Sequence, residues 1–132
     1  KQLVDDLCLA WLVDFHNPIA NKDTPAIYRK HDLFVNLTVT GSFDKSTLEA
    51  MACGIPVLVS NLAFRDILGP TLADQLMFKE ADHRDLADKI SRISALGAED
   101  REKLGEKLRE IIVRKHDLTR LVTRLSETIR EV

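Results

Sequence analysis

The stretch from Asn36 to Ser60 constrains this chain more than any other. It reads as strand end, glycine turn, helix, glycine stop and second strand. His31-Asp32-Leu33-Phe34-Val35-Asn36 leads into it as a strand, polar at its start and apolar within. The loop from Thr38 to Ser42 holds one glycine and three hydroxyl side chains, and such a loop can turn backbone N–H groups and a helix N-terminus toward an anion. A helix is expected from about Phe43 to Cys53. Gly54 stands where a left-handed terminal residue would sit, and Pro56 cannot continue a helix. Val57-Leu58-Val59 is short and wholly apolar, as a strand inside a parallel sheet is. Together these form one βαβ unit, and ligands in such folds bind at the carboxyl ends of the strands, where this loop lies.

Around that unit the periodicity predicts further elements. Leu3, Val4, Leu7 and Cys8 mark a helix face over Lys1 to about Ala10. Trp11-Leu12-Val13-Asp14-Phe15 is a strand candidate closed by Asn17-Pro18. Asp23 or Thr24 caps a short helix with Pro25 in its first turn, running through Ala26-Ile27-Tyr28-Arg29-Lys30. After Ser60, a loop leads to a short helix stopped by Gly69-Pro70, with another helical turn over Leu72 to Leu76 and a last strand at Met77-Phe78. Asp82 opens a helix buried through Leu86, Ile90 and Ile93 and stopped at Gly97. Glu99 to Lys115 follows, buried through Leu104, Leu108, Ile111 and Ile112 and supported by pairs such as Glu99 with Lys103. Leu118, Leu121, Val122, Leu125 and Ile129 pattern a final amphipathic helix.

Composition excludes several classes. A length of 132 residues suits one domain with a real core. A net charge of −2 argues against a nucleic-acid footprint. No apolar run approaches the roughly 20 residues of a membrane span, and no signal peptide is read. Cys8 and Cys53 lie in apolar helical contexts and read as buried reduced thiols, which suits the cytoplasm. His16, His31, His83 and His116 are far apart, without metal-ligand spacing. The chain opens at Lys1 inside a helical pattern and reads as a piece of a longer protein.

Glu49-Ala50-Met51-Ala52-Cys53-Gly54-Ile55-Pro56-Val57 resembles the donor-binding segment of retaining glycosyltransferases with the GT-B fold, the family-four (group 1) enzymes. Those carry a Glu, seven residues, a second Glu and then Ala-Met-Ala-x-Gly-x-Pro-Val. Glu49 matches the second Glu, but the position eight residues before it is Gly41, so the two-glutamate pattern is broken. Thr40-Gly41-Ser42-Phe43-Asp44-Lys45 is similar to a Thr-Gly-Ser-x-Asp-Lys variant of the family, and Tyr28, Asp32 and Leu33-Phe34-Val35 to its pattern of Tyr, Asp and strand.

The resemblance implies an α/β class: a Rossmann-like parallel sheet with helices on both faces, the GT-B C-terminal domain truncated at its N-terminus. It makes residues 1–132 a single nucleotide-sugar-binding domain, with a helix over 116–132 packing on it. Gly41, Ser42, Phe43, Asp44, Lys45, Leu48 and Glu49 are the candidate donor-binding residues; no catalytic residue is assigned. Glu49 would accept hydrogen bonds from ribose hydroxyls, for which a carboxylate suits a vicinal diol. Its apolar neighbours place it in a largely buried segment, where a carboxylate needs a partner. Lys45 would add charge near a phosphate, and Asp44 is the candidate stand-in for the absent acid. The implied reaction transfers a sugar from a nucleotide-sugar to an acceptor hydroxyl with retention and without a metal. The acceptor would be held by an N-terminal domain upstream of Lys1, together with cationic residues for the leaving diphosphate. The isolated chain is therefore expected to be catalytically inactive. Self-association of the piece and peripheral membrane contact of the whole protein are compatible with this reading. The rivals are a receiver-like or other interaction module and an epimerase. A receiver needs an acidic pair after its first strand, and Asp5-Asp6 falls within a helix instead.

Overall fold

In a computed structural model, residues 1–39, 41, 44–116 and 126 are described. The expectations for Thr40, Ser42, Phe43 and the helix over 116–132 lie outside those residues or touch only their edge.

The βαβ unit forms as expected. Strand β1 (Phe34–Asn36) pairs in parallel with β2 (Val57–Val59), in the register Phe34 with Val57 and Asn36 with Val59. Helix α3 (Lys45–Ala52) crosses between them. It begins two residues later than expected, because Asp44 takes extended backbone angles and serves as its N-cap. Met77 adds a parallel bridge to Val59, so the expected last strand shrinks to one rung. Val57, Leu58 and Val59 are all buried, and alternate side chains point to opposite faces, so both faces of β2 are covered.

Helix α4 (Arg65–Leu76) follows a short 3₁₀ turn at Leu62–Phe64 and bends at Gly69, whose φ of 73° leaves the helical region just before Pro70. The expected stop at Gly69-Pro70 and the restart beyond it both form, as two helical segments joined across Gly69. Helix α5 (His83–Ser94) is capped by Asp82, which accepts from the Arg84 and Asp85 N–H groups at 3.1 Å each. Helix α6 (Ala98–His116) buries Leu104, Leu108 and Ile112, and Lys103 pairs with Glu99 at 2.6 Å. Ile111 is only half-buried.

Helix α6 is seated on α3 by a close backbone approach. A Cβ on Gly105 would overlap the carbonyl oxygen of Gly54, the residue that ends α3 with φ +77°. Arg109 reaches the same helix end and donates to the Ala52 carbonyl, one of the carbonyls a helix leaves unpaired at its C-terminus. These contacts fix the far end of α3.

The N-terminal region departs from expectation. Helix α1 covers only Gln2–Asp6 and buries nothing; helix α2 (Thr24–Tyr28) is equally short. Trp11 to Phe15 is not a strand. A strand needs a partner for its backbone groups, and among the described residues the sheet holds β1, β2 and the Met77 rung, none of them paired with this segment. The chain turns locally instead, Leu12 N–H to Leu9 O at 2.9 Å, with the Lys1 ammonium 5.4 Å from the Phe15 ring centre. Cys8 is exposed, with φ +54°, rather than buried: α1 ends at Asp6, and the face it was to share buries no residue. Cys53 is half-buried. Both thiols are free.

Candidate functional site

The N-terminus of α3 is held by a hydrogen-bonded chain that starts on β1. Asn36 ends the strand; its side-chain oxygen accepts the Thr38 N–H at 2.6 Å, and its amide donates to Thr47 Oγ1 at 3.2 Å. Thr47, fully buried, donates its hydroxyl to Asp44 Oδ2. Asp44 Oδ1 accepts the Ser46 N–H at 3.1 Å and the Ser46 hydroxyl at 2.7 Å. Burial alone would raise the Asp44 carboxyl, but these donors from Thr47 and Ser46 outweigh it and hold it below the ordinary value of 3.8. The network fixes both edges of the loop from Thr38 to Asp44 relative to the strand and the helix.

Asp44 is thus a cap, with both carboxylate oxygens engaged by its own helix. Lys45 is exposed in the first turn, and Leu48 is half-buried. Gly41 is exposed, with φ +105°, a conformation that L side chains rarely adopt. The break in the two-glutamate pattern therefore coincides with a backbone that favours glycine. Ser42 and Phe43 lie outside the described residues.

Glu49 is exposed, not embedded as its neighbours suggested. Helical spacing explains the difference. Ala50 and Met51 face the core, while Glu49 and Lys45, four residues apart, share the outer face. Glu49 still has a partner. Tyr28, the last residue of α2, donates its hydroxyl to Glu49 Oε2 at 3.3 Å. The Tyr28 ring stands edge-on to Phe34 of β1, centroids 5.6 Å apart at 80°. Burial, then the charge and hydrogen bond of Glu49, then the charge of Asp44, push the Tyr28 hydroxyl up from 10.0 to about 12. Tyr28, Asp44 and Glu49 accordingly share one electrostatic neighbourhood. Tyr28 was legible only as part of a motif; nothing in its spacing from Glu49 pointed to the contact.

Two hollows open nearby. One of about 360 Å³ lies past the carboxyl ends of the strands, lined by Leu37, Val39, Ser60, Phe78 and the Glu80–His83 turn with Leu86. A larger cleft of about 920 Å³ runs along α4, and among the described residues neither hollow is lined by a candidate residue. The ends of the parallel strands are where the fold places ligands. Among the described residues, no group of three His, Cys, Asp or Glu is placed to hold a metal, and no helix is long and apolar enough to cross a membrane.

This is the α/β architecture of a GT-B domain: the fold of sucrose-phosphate synthase from Thermosynechococcus elongatus superposes with a TM-score of 0.85 at 24% identity, over 98% of this chain and 32% of that one. The C-terminal domain of a glycosyl transferase group 1 family protein from Francisella tularensis superposes with a TM-score of 0.74 at 22% identity, over 89% of this chain and 60% of that one. The family model of glycosyl transferases group 1 matches residues 2–95, and the chain belongs to that family. No curated protein sequence matches the chain. The chain spans about a third of the synthase's length.

Proposed function

We propose that this chain is the donor-binding part of a glycosyltransferase that moves a sugar from a nucleotide-sugar to an acceptor hydroxyl with retention of configuration. The observation that carries this reading is Glu49. It stands exposed on the helix that follows the glycine loop in a parallel βαβ unit, in a chain of the group 1 family. A carboxylate so placed can accept two hydroxyl donors from a ribose diol. The loop before it leads into the N-terminus of α3, and the helix dipole favours an anionic group there. Exposed Lys45 adds a positive charge to the same end. Asp44 supports this site as a cap that shapes the loop, in place of the sugar-contacting role its position suggested. In this reading no metal is required, the acceptor is bound by another domain, and the protein works in the cytoplasm.

The test is ligand-observed NMR of the chain with UDP-, GDP- and ADP-sugars, repeated on Glu49→Ala. Binding of one nucleotide that weakens by about 10-fold or more in the variant is the expected result, the loss of charge-assisted hydrogen bonds. Binding indifferent to Glu49 would leave the interaction-module reading in its place.

A further inference from the structure

We propose that Tyr28 is a positioning residue for donor binding: its hydroxyl holds one oxygen of Glu49 and so presents the other to the ribose. This rests on the nucleotide-sugar reading and goes beyond it, because it gives a role to a residue on a separate element, 21 positions away in sequence.

The geometry is specific. Tyr28 ends α2, a helix of five residues that buries none of its side chains. Its ring is fixed edge-on against Phe34 of β1, so the strand that leads to the glycine loop also sets the direction of the phenol. From there the hydroxyl reaches Glu49 Oε2 at 3.3 Å. A phenylalanine would pack on Phe34 equally well, so the ring contact does not account for the hydroxyl. Glu49 itself lies on an exposed face, where a free glutamate samples many rotamers and must lose that freedom to bind a ligand. The hydrogen bond removes part of that freedom beforehand, and it occupies Oε2 only. Burial and then the Glu49 carboxylate push the ionisation of Tyr28 up to about 12, so at neutral pH the phenol is a donor.

The experiment is a double-mutant cycle on the full chain, with Tyr28→Phe, Glu49→Ala and both, titrated with UDP-glucose, GDP-mannose and ADP-glucose. Tyr28→Phe is expected to weaken the nucleotide-sugar that binds by about 3- to 10-fold, the range of one hydrogen bond, and to have no further effect once Glu49 is alanine. A second readout needs no ligand. The chain has one tyrosine, so isotope labelling at its hydroxyl-bearing ring carbon gives a single NMR resonance. That resonance is expected to move in Glu49→Gln, a change that leaves the fold alone.

Equal weakening by Tyr28→Phe with and without Glu49 would overturn the proposal, since Tyr28 would then act by itself. A resonance unmoved by Glu49→Gln would do the same. If Glu49→Ala weakens binding and Tyr28→Phe does not, the positioning role fails and the donor reading stands. If Glu49→Ala binds as well as the parent, the donor reading fails first.

Discussion

Phe15 and Phe64 are one side chain in opposite circumstances. Phe15 is 54% exposed and meets the Lys1 ammonium; Phe64 is fully buried at the start of α4. Their segments look alike as strings of apolar residues. In residues 1–19, Leu3, Leu7, Trp11, Leu12, Phe15 and Ile19 all stay exposed. From Ala50 to Ile112, apolar side chains close into one core around β2. Periodicity states which residues share a face; it does not supply the surface that covers them. The second region has β2 at its centre, with α3, α4 and α5 packed on it and α6 on α3. The first has no such neighbour among the described residues.

Matched substitutions test that contrast, the strongest first. Phe64→Ala is expected to cost about 3–5 kcal/mol of unfolding free energy, and Phe15→Ala less than about 0.5 kcal/mol, read by urea denaturation of both variants. A comparable loss at Phe15 would show that residues 1–19 are covered in solution and would end the comparison. Gly105→Ala should cost about 1–3 kcal/mol, because the new methyl meets backbone rather than a side chain that can swing away. Gly97→Ala, with open space around it, is the control and should leave the midpoint unchanged or slightly raised. Equal behaviour of the two glycines would mean that α6 does not press on α3 as closely as the Gly54–Gly105 contact requires.

The legible parts of the molecule are those whose signals are local. The βαβ unit, the left-handed Gly54, the break at Gly69-Pro70 and the Asp82 cap each rest on a few adjacent residues, and each formed. The strand assigned to Trp11–Phe15 failed because a strand is a pairing, and pairing is not a property of five residues. Glu49 was placed in a buried segment because its neighbours are apolar, but the helix turns them inward and turns Glu49 out. The less legible contacts span elements: Asn36 to Thr47 and Tyr28 to Glu49 at the site, and Arg109 to Ala52 at the far end of α3. Chain separation hides such contacts until the fold brings the partners together. Asp44 falls between the two cases. Its place in a family motif suggested a ligand contact, and the structure engages both its oxygens with the first turn of α3, a cap that showed only once the helix was seen to begin at Lys45.

The smallest expected effect divides the two regions at their helix caps. Asp44 and Asp23 both stand at N-caps, but Asp44 accepts a hydrogen bond from its helix and Asp23 makes no side-chain cap bond. Asp44→Ala should cost about 1 kcal/mol, and Asp23→Ala less than about 0.5 kcal/mol. Titration separates capping from charge. The Asp44 carboxyl is depressed in the fold, so its contribution is fully present above the unfolded value of 3.8 and is lost as pH falls through the lower folded value. Asp44→Asn keeps an accepting oxygen but cannot titrate. Near neutral pH the parent should be the more stable of the two, and the gap should close as the pH drops below 3.8. A gap that persists to lower pH would mean that the Thr47 and Ser46 donors do not favour the ionised form, and that the network from Asn36 to Asp44 is held by geometry without the carboxylate's charge.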